Sequence, residues 1–204
     1  MAKSNKRWLA AHRRDQFVKR ARDAHYRSRA VYKLQEIDQH DHLFKPGQTV
    51  VDLGAAPGGW SQYAAQRVGK TGKVIAVDIL PMEALTGVSF IQGDFTEEST
   101  VNACLAALGE TGADLVICDM APNLTGIRST DQARSLTLAE LACDFAREVL
   151  HPGGDLLIKL FQGEGIDGFK RELRAHFQKV MVRKPEASRD RSREFYTLAR
   201  GYGV

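Results

Sequence analysis

Short apolar runs alternate with longer amphipathic stretches from residue 49 onward. Runs of this length predict buried strands, at 49–53, 73–78, 88–94, 113–119 and 155–161. Helix-like stretches separate them near 59–68, 96–109, 131–150 and 166–177, and a late pair of strands is predicted at 179–185 and 194–202. Near-continuous apolar strands spaced by helices are typical of an α/β fold, because crossover helices cover both faces of the sheet. We therefore expect a doubly wound, mainly parallel sheet with an antiparallel edge strand.

The chain before the first strand is basic and partly helical. Val31, Leu34 and Ile37 are spaced by three residues, which predicts an amphipathic helix packed on the sheet. We expect a basic N-terminal extension at 1–26 and a single domain at 27–204.

The net charge of +4 conceals an uneven distribution along the chain. Residues 1–33 carry +9 and residues 170–204 carry +6, whereas residues 34–169 carry −11. Clustered Lys and Arg neutralise phosphates and release counterions, so both ends together indicate a nucleic-acid partner. For the first eight residues alone, a solvated basic tail is the better interpretation.

The cysteines and the start of the chain indicate a compartment. Cys104, Cys118 and Cys143 are odd in number and form no CxxC motif, which favours buried thiols in a reducing cytosol. The basic start has no apolar core of signal-peptide length, and no apolar stretch is long enough to cross a bilayer. His40 and His42 have no third ligand nearby, so we expect no metal site. A cytoplasmic protein without a membrane partner is expected.

Charged side chains occur where the predicted strands end. Asp52, Asp78, Asp94 and Asp119 lie at or just after the ends of the first four strands, and Lys159 lies late in the fifth. One such Asp is typical of a helix cap or a turn. Four carboxylates and a lysine at one edge instead predict a ligand site, because open α/β sheets bind ligands outside the carboxyl ends of their strands.

The loop after the first strand, GAAPGGW, suits a nucleoside. Gly54, Gly58 and Gly59 allow the backbone to turn sharply and to approach a ligand closely. The spacing is neither GxGxxG nor a Walker loop, which argues against a dinucleotide pyrophosphate or an NTP as ligand and disfavours an NAD-dependent oxidoreductase. Asp78 at the next strand end can accept hydrogen bonds from ribose hydroxyls. An acidic lining favours a nucleoside without phosphates and with positive charge, which describes S-adenosylmethionine (SAM).

Several motifs together resemble one family along nearly the whole chain, from about residue 25 onward. DLGAAPGGWSQ, DMAPNLTG, LLIKLFQG and SREFY, with the lysine of SRAVYKL, resemble the FtsJ/RrmJ family of SAM-dependent ribose 2′-O-methyltransferases. The resemblance is strongest to bacterial enzymes that methylate a uridine in large-subunit (23S) rRNA. It implies a Rossmann-like methyltransferase fold in the domain at 27–204, with SAM as cofactor. It also implies a large-subunit rRNA as substrate. Since only RNA carries a 2′-OH, we expect no action on DNA. The lack of a separate RNA-binding domain favours a preassembled ribonucleoprotein as the substrate, and a monomer is expected because nothing in the sequence demands a dimer.

The resemblance assigns functions to individual positions of this chain. The catalytic tetrad that it implies is Lys33, Asp119, Lys159 and Glu194. The SAM contacts that it implies are Gly58 and Trp60 in the glycine-rich loop, Asp78 at the ribose, Asp94 at the adenine amine and Asp119 near the methionine end.

Lys159 is the centre of the chemical hypothesis. A ribose 2′-OH holds its proton tightly, so methyl transfer needs an aligned electrophile and a base. Lysine is a base only when neutral; burial and a second cation, Lys33, disfavour its charged form, whereas Asp119 favours it. In this hypothesis Lys159 accepts the proton, Lys33 orients the 2′-oxygen, Asp119 holds Lys159 near the methyl group and Glu194 supports the lysines.

Basic and aromatic residues near the ends are candidates for contacts with RNA. The arginines expected to bind phosphates are Arg13, Arg14, Arg20, Arg22, Arg27, Arg29, Arg183, Arg189, Arg191 and Arg193. Tyr26, Tyr32 and Tyr196 suit stacking on a base or packing in the core, and the sequence leaves both open. A tRNA or mRNA-cap substrate and a non-catalytic RNA-binding assembly factor remain as alternatives, although the complete tetrad argues against the second.

The charge distribution predicts that RNA affinity falls steeply as salt increases. A plot of log affinity against log salt concentration should have a slope that reflects several phosphate contacts. Filter binding or fluorescence anisotropy over a salt series measures it, and a flat response would contradict the interpretation of the basic ends.

Overall fold

A seven-stranded sheet forms the centre of the protein in a computed structural model that describes residues 15–122, 125–188 and 192–203. The strands are β1 (Thr49–Leu53), β2 (Lys73–Asp78), β3 (Val88–Gln92), β4 (Ala113–Cys118), β5 (Leu150–Phe161), β6 (Phe177–Arg183) and β7 (Glu194–Tyr202). The helices are α1 (Gln16–Asp23), α2 (Val31–Asp41), α3 (Gly59–Val68), α4 (Glu98–Leu108), α5 (Arg128–Val149) and α6 (Ile166–His176). A short 3₁₀ turn follows α4 at Gly109–Thr111.

The strand order is β3-β2-β1-β4-β5-β7-β6. Strands β1 to β5 pair in parallel, and β7 runs antiparallel to both β5 and β6. The predicted fold class is therefore confirmed, with one refinement. The antiparallel strand, β7, is not the edge strand. The chain forms β6 at the edge first and then returns as β7 between β5 and β6.

Two layers of helices cover the sheet, and strand residues alternate between them. Val50 and Val74 face the layer that contains α1, α2 and α3, whereas Val51 and Ile75 face α4, α5 and α6. This alternation follows from the period of two along a strand, and it buries both faces, as a doubly wound sheet requires. None of the helices in the described ranges combines the length and the apolar character needed to cross a membrane.

Most element bounds agree with the sequence-based ones, and the differences have local causes. Strand β3 ends two residues early, at Gln92, and is followed by Gly93, which lies so close to Thr100 that a Cβ would be 2.3 Å from Thr100 Oγ1. Strand β5 begins at Leu150 instead of 155, with a change of register between Ala113 and Leu115 on β4. Cys104, like the other two cysteines, is a free, buried thiol.

The described part of the predicted extension packs against the domain. Ala21 of α1 is buried among α2 residues, and Asp15 both caps α1 and forms an ion pair with Arg29. The ring of Phe17 lies 5.6 Å from that of Tyr32. Residues 1–14 lie outside the described residues, and the boundary at 26/27 stays a prediction.

A buried carboxylate joins α2 to α3. Asp38 accepts hydrogen bonds from the N–H groups of Leu43 and Phe44 at 2.9 and 3.1 Å and from the Tyr63 hydroxyl at 2.8 Å. Arg67 lies 3.0 Å away on α3 and supplies the positive charge. The side chain of Asp38 is 2% exposed, so these partners replace its hydration.

A second charged pair lies at the amino ends of the parallel strands, opposite the carboxyl ends where the ligand site is expected. His151 Nε2 lies 3.0 Å from Asp114 Oδ1, and the other Asp114 oxygen accepts the N–H of Thr49. This hydrogen bond to Asp114 raises the pKa of His151 above its ordinary value.

Replacing Asp38 should destabilise the fold. Asp38→Ala leaves two buried N–H groups and a buried hydroxyl unpaired, so the free energy of unfolding should fall by about 2–4 kcal/mol. Asp23→Ala is the control, because Asp23 is exposed and its change should stay within about 0.5 kcal/mol. Urea denaturation measures both variants, and equal effects would contradict the role given to Asp38.

The His151 pair should make stability depend on pH. The folded state binds the His151 proton more tightly than the unfolded chain, so the pair stabilises fully below about pH 6.5 and loses its contribution as pH rises through the folded-state pKa. His151→Gln should therefore lower the free energy of unfolding at pH 5.5 by at most about 1 kcal/mol, since solvent screens this partly exposed pair. At pH 8.5 the loss should be smaller, and a loss that grows with pH would contradict the assignment.

Candidate active site

A cavity of about 570 Å³ opens at the carboxyl ends of β1, β2, β3 and β4. Its lining includes Gly54, Asp78, Asp94, Asp119 and Met120. The cavity lies where the strand order reverses between β1 and β4, which is the position that the topology favours for a ligand. Its volume and acidic lining suit a nucleoside without phosphates.

Two glycines of the loop at 54–59, here called the cofactor loop, are needed for its shape. Gly54 has φ +73°, and a Cβ there would lie 2.1 Å from the Met120 side chain. Gly58 has φ +103°, and a Cβ there would lie within 2.9 Å of both Met82 and Leu85. Positive φ values and close neighbours both exclude larger residues, so the backbone can approach a ligand at this loop.

Asp78 joins the cofactor loop to the loop that follows β2. One carboxylate oxygen accepts the N–H of Ala56 at 2.8 Å, and the other accepts the N–H of Leu80 at 2.8 Å. Asp94 is held by Thr96, whose N–H and hydroxyl both donate to the same Asp94 oxygen. Both carboxylates face the cavity with acceptor capacity left, although their predicted contacts with ribose and adenine stay predictions.

Trp60 is buried beside a smaller part of the cleft. Its indole N–H donates to the Ala30 carbonyl at 2.8 Å, and its ring lies 5.8 Å from that of Tyr196. It lines a space of about 90 Å³ together with Asp52 and Asp119. Trp60 therefore packs in the core and also borders the cleft, and its predicted contact with SAM stays a prediction.

Lys159 of β5 contacts Asp119, which lines the cavity. Its Nζ lies 3.1 Å from the Asp119 carboxylate and also donates a short hydrogen bond to the Asp119 backbone carbonyl. Lys159 is 8% exposed, so these two oxygens replace most of the water that it would otherwise bind. The Tyr196 hydroxyl donates to the same carboxylate at 2.6 Å.

Lys33 and Glu194 form the second half of the tetrad. The first turn of α2 carries Lys33, and Glu194 begins β7; their charged atoms are 2.6 Å apart and both side chains are nearly buried. Burial alone raises the pKa of Glu194, but the charge and hydrogen bond of Lys33 and the nearby charge of Lys159 outweigh it, so this pKa lies below its usual range. The structure thus places all four residues of the predicted tetrad in two adjacent ion pairs.

Tyr196 connects the two ion pairs, and its position excludes one of its expected functions. Tyr196 pairs with Lys159 across β5 and β7, is fully buried, and lies with its ring centre 5.8 Å from Lys33 Nζ. Stacking on an RNA base is therefore wrong for Tyr196 and also for Tyr32, which is 5% exposed. Tyr26 is partly exposed, and its hydroxyl is hydrogen-bonded to Gln66.

Asp52 is a buried carboxyl group, and its raised pKa was not anticipated from the sequence. Burial raises the pKa of Asp52 to about 7, and the charges of Asp119 and Asp78 add to this, whereas a hydrogen bond from Ser61 opposes it. The apolar residues around it in β1 were the available signal, because they predict a buried strand.

Three of the arginines expected to bind phosphates are bound to protein groups instead. Arg27 donates to three backbone carbonyls, Arg29 pairs with Asp15, and Arg183 forms a two-pronged ion pair with Asp41 at 2.6 and 2.7 Å. These protein partners weaken the case for phosphate contacts by the three side chains, and their phosphate binding stays a prediction. Among the other arginines, Arg20 lies over the Tyr32 ring, and Arg22 and Arg193 are exposed. The remaining four lie outside the described residues: Arg13, Arg14, Arg189 and Arg191.

Comparison with known proteins agrees with this geometry. The chain is similar to the ribosomal RNA large subunit methyltransferase E of Alkalilimnicola ehrlichii, with 60% identity over 98% of this chain and 96% of that protein. The protein of the same name from Cellvibrio japonicus is 54% identical, over 98% of this chain and 95% of that protein. A crystal structure from Plasmodium falciparum, described as a ribosomal RNA methyltransferase, is 27% identical with a TM-score of 0.80, and the match covers 87% of this chain and 98% of that one.

The family expected from the motifs is confirmed by a direct match. The model of the FtsJ-like methyltransferases matches residues 26–202, which is most of the chain and includes the whole sheet and the tetrad. This protein therefore belongs to the FtsJ-like methyltransferase family.

Proposed function

We propose that the protein transfers the methyl group of SAM to the ribose 2′-OH of a uridine in 23S rRNA, within an assembled or assembling large ribosomal subunit. The observation that carries the proposal is the buried Lys159–Asp119 contact, next to Lys33–Glu194, at the edge of a nucleoside-sized cavity. A buried amine beside such a cavity has a clear use in proton transfer and no evident structural one.

The cleft fits SAM by its shape and its charge. Glycines at 54 and 58 leave space in the cofactor loop that a Cβ would fill, and the loop is followed directly by the N-terminus of α3. Asp78, Asp94 and Asp119 offer carboxylate acceptors to hydroxyl, amine and ammonium groups, and repel phosphates. SAM supplies an electrophilic methyl group on a sulfonium, which the protein need only align with the nucleophile.

The tetrad can hold the ribose oxygen and remove its proton. Bound SAM would supply the methyl group and leave with its sulfur as a neutral thioether, while Lys159 in its neutral form would accept the proton of the 2′-OH. Asp119 fixes the position of Lys159 through its carboxylate and its carbonyl. Lys33 stabilises the negative charge that develops on the 2′-oxygen, and Glu194 holds Lys33 in place.

The substrate is inferred from charge, chemistry and relatives. A 2′-OH occurs in RNA and not in DNA, so the chemistry requires RNA. The similar proteins named ribosomal RNA large subunit methyltransferase E support a large-subunit rRNA. The basic ends of the chain suit the phosphates of a large RNA, and we include in the proposal that a monomer recognises this RNA as a preassembled ribonucleoprotein in the cytoplasm. A tRNA or an mRNA cap is less favoured as substrate, because the names of the similar proteins do not support it. A non-catalytic assembly factor is less favoured because it would not need the buried lysine.

Removing the Lys159 amine should abolish methyl transfer. Lys159→Met keeps most of the side-chain volume but cannot accept a proton, so transfer of tritium from labelled SAM to large-subunit RNA should fall by at least about 100-fold. Binding of S-adenosylhomocysteine, measured by calorimetry, should change little, because in this proposal the amine contacts the ribose oxygen of the RNA and not the nucleoside part of the cofactor.

The matched control is Lys45→Met, which removes an exposed lysine and should retain full activity. Unchanged turnover of Lys159→Met would refute the assignment of the base. Mapping of ribose methylation in rRNA and tRNA, with and without the gene, identifies the substrate. Loss of a modification only in tRNA would refute 23S rRNA as the proposed substrate.

A further inference from the structure

Arg27 contacts both loops that border the cofactor cleft. One guanidinium nitrogen donates to the carbonyl of Glu83 at 2.7 Å and to that of Pro57 at 3.3 Å, and the other donates to Ala84 at 2.9 Å. Pro57 belongs to the cofactor loop, whereas Glu83 and Ala84 belong to the loop at 79–87, which connects β2 to β3. The cation thus holds two segments together that are distant in sequence.

The two loops also pack on each other at Gly58. A Cβ on Gly58 would lie 2.8 Å from Met82 S, 2.9 Å from Leu85 Cδ1 and 3.2 Å from Arg27 Nη1. The 79–87 loop and the guanidinium therefore rest directly on the glycine that shapes the cofactor loop. A shift of Arg27 would leave this contact without its charged support.

Asp78 makes the corresponding connection on the cavity side. Its carboxylate accepts the N–H of Ala56 in the cofactor loop and that of Leu80 in the 79–87 loop. The same pair of loops is thus fastened on the inside by the carboxylate expected to bind ribose, and on the outside by Arg27. Gly54 and Ala56 of one loop and Ile79 and Leu80 of the other line the cavity, so the separation of the loops affects the width of the nucleoside site.

The backbone around Arg27 continues into the helix that carries Lys33. The N–H of Arg27 donates to the side chain of Gln62 in α3 at 3.2 Å, and the carbonyl of Ala30 accepts the Trp60 indole N–H. Helix α2 begins at the next residue, Val31. The segment at 27–30 therefore fixes the cofactor side of the cleft relative to the catalytic lysine.

We infer that Arg27 is a positioning residue that sets the cofactor cleft, and that it is not a ligand of RNA phosphates. This inference rests on the proposed function, because it assumes that the cleft holds SAM. An arginine in a basic segment would ordinarily be read as a phosphate contact, but its donors here are directed at three protein carbonyls. Hydrogen bonds from a charged donor are strong, so their loss should be measurable in cofactor binding.

Three variants test the inference in the full-length protein. Arg27→Met removes the donors and keeps most of the length of the side chain, and Arg27→Lys keeps the charge but lacks the planar guanidinium fork that reaches the three carbonyls from two nitrogens. Arg22→Met is the matched control, because Arg22 lies on α1, its side chain is 80% exposed, and its ion pair among the described residues is a 3.6 Å contact with Asp23. S-adenosylhomocysteine affinity is measured by calorimetry, KM for SAM and kcat by tritium transfer, and folding by thermal unfolding.

Arg27→Met should weaken binding of S-adenosylhomocysteine by about tenfold or more, and Arg27→Lys by less. KM for SAM should rise more than kcat falls, because saturating SAM restores the occupied cleft. RNA affinity at low salt, and its dependence on salt, should match the wild type. Hydrogen exchange should become faster in the 79–87 loop of Arg27→Met, and Arg22→Met should leave cofactor binding unchanged.

Wild-type S-adenosylhomocysteine binding in both Arg27 variants would overturn the inference. A salt slope reduced by about one, which marks a lost phosphate contact, would overturn it too. If Arg27→Met does not fold, Arg27→Lys decides, and normal cofactor binding in that variant overturns the inference. A wild-type protein that binds no S-adenosylhomocysteine would overturn the proposed function and this inference with it, so the two failures are distinct.

Discussion

The site depends on keeping one amine out of water at the end of an apolar strand. Ile158 and Leu160 are fully buried on either side of Lys159, so the strand brings the amine to the cleft with almost no solvent around it. Such a group is costly unless oxygens replace its hydration, and Asp119 does so with its carboxylate and its carbonyl. Asp119 is itself positioned by the Tyr196 hydroxyl, and Lys33 and Glu194 complete the charge arrangement next to it. The requirement to satisfy Lys159 therefore explains why four charged residues from four different elements converge here.

The rest of the fold fixes the position of Lys33, on its helix, relative to the site residues at the ends of the strands. Lys159 and Glu194 lie on strands of the sheet and Asp119 directly follows β4, whereas Lys33 lies on a helix outside the sheet. That helix is fastened to α3 by Asp38 at its far end and by the Trp60 contact with Ala30 just before its start. Because α3 begins directly after the cofactor loop, a single packed unit connects the cofactor cleft to the catalytic lysine. Alignment of nucleophile and electrophile is the largest demand of a displacement reaction, and this connection provides it.

Much of the site could be predicted from the sequence, and the rest depended on contacts between distant segments. Asp78, Asp94, Asp119 and Lys159 were found from their places at strand ends, because parallel strands bring those ends to one edge. Lys33 and Glu194 have no local signal, and only the family resemblance identified them. The function of Tyr196 was missed because it follows from the insertion of β7 between β5 and β6, which sets Tyr196 opposite Lys159. The protein partners of the arginines were missed for a similar reason: Arg183 meets Asp41 only when the chain is folded, and composition cannot show which cations have such partners.

The most direct test of the central claim is a structure of the protein with S-adenosylhomocysteine and an RNA fragment that contains the target uridine. We expect Lys159 Nζ within about 2.6–3.2 Å of the ribose 2′-oxygen, which is the reach of a general base, with that oxygen facing the cofactor sulfur. A complex in which Lys159 remains turned toward Asp119 while another group contacts the 2′-oxygen would contradict the assignment of Lys159 as the base.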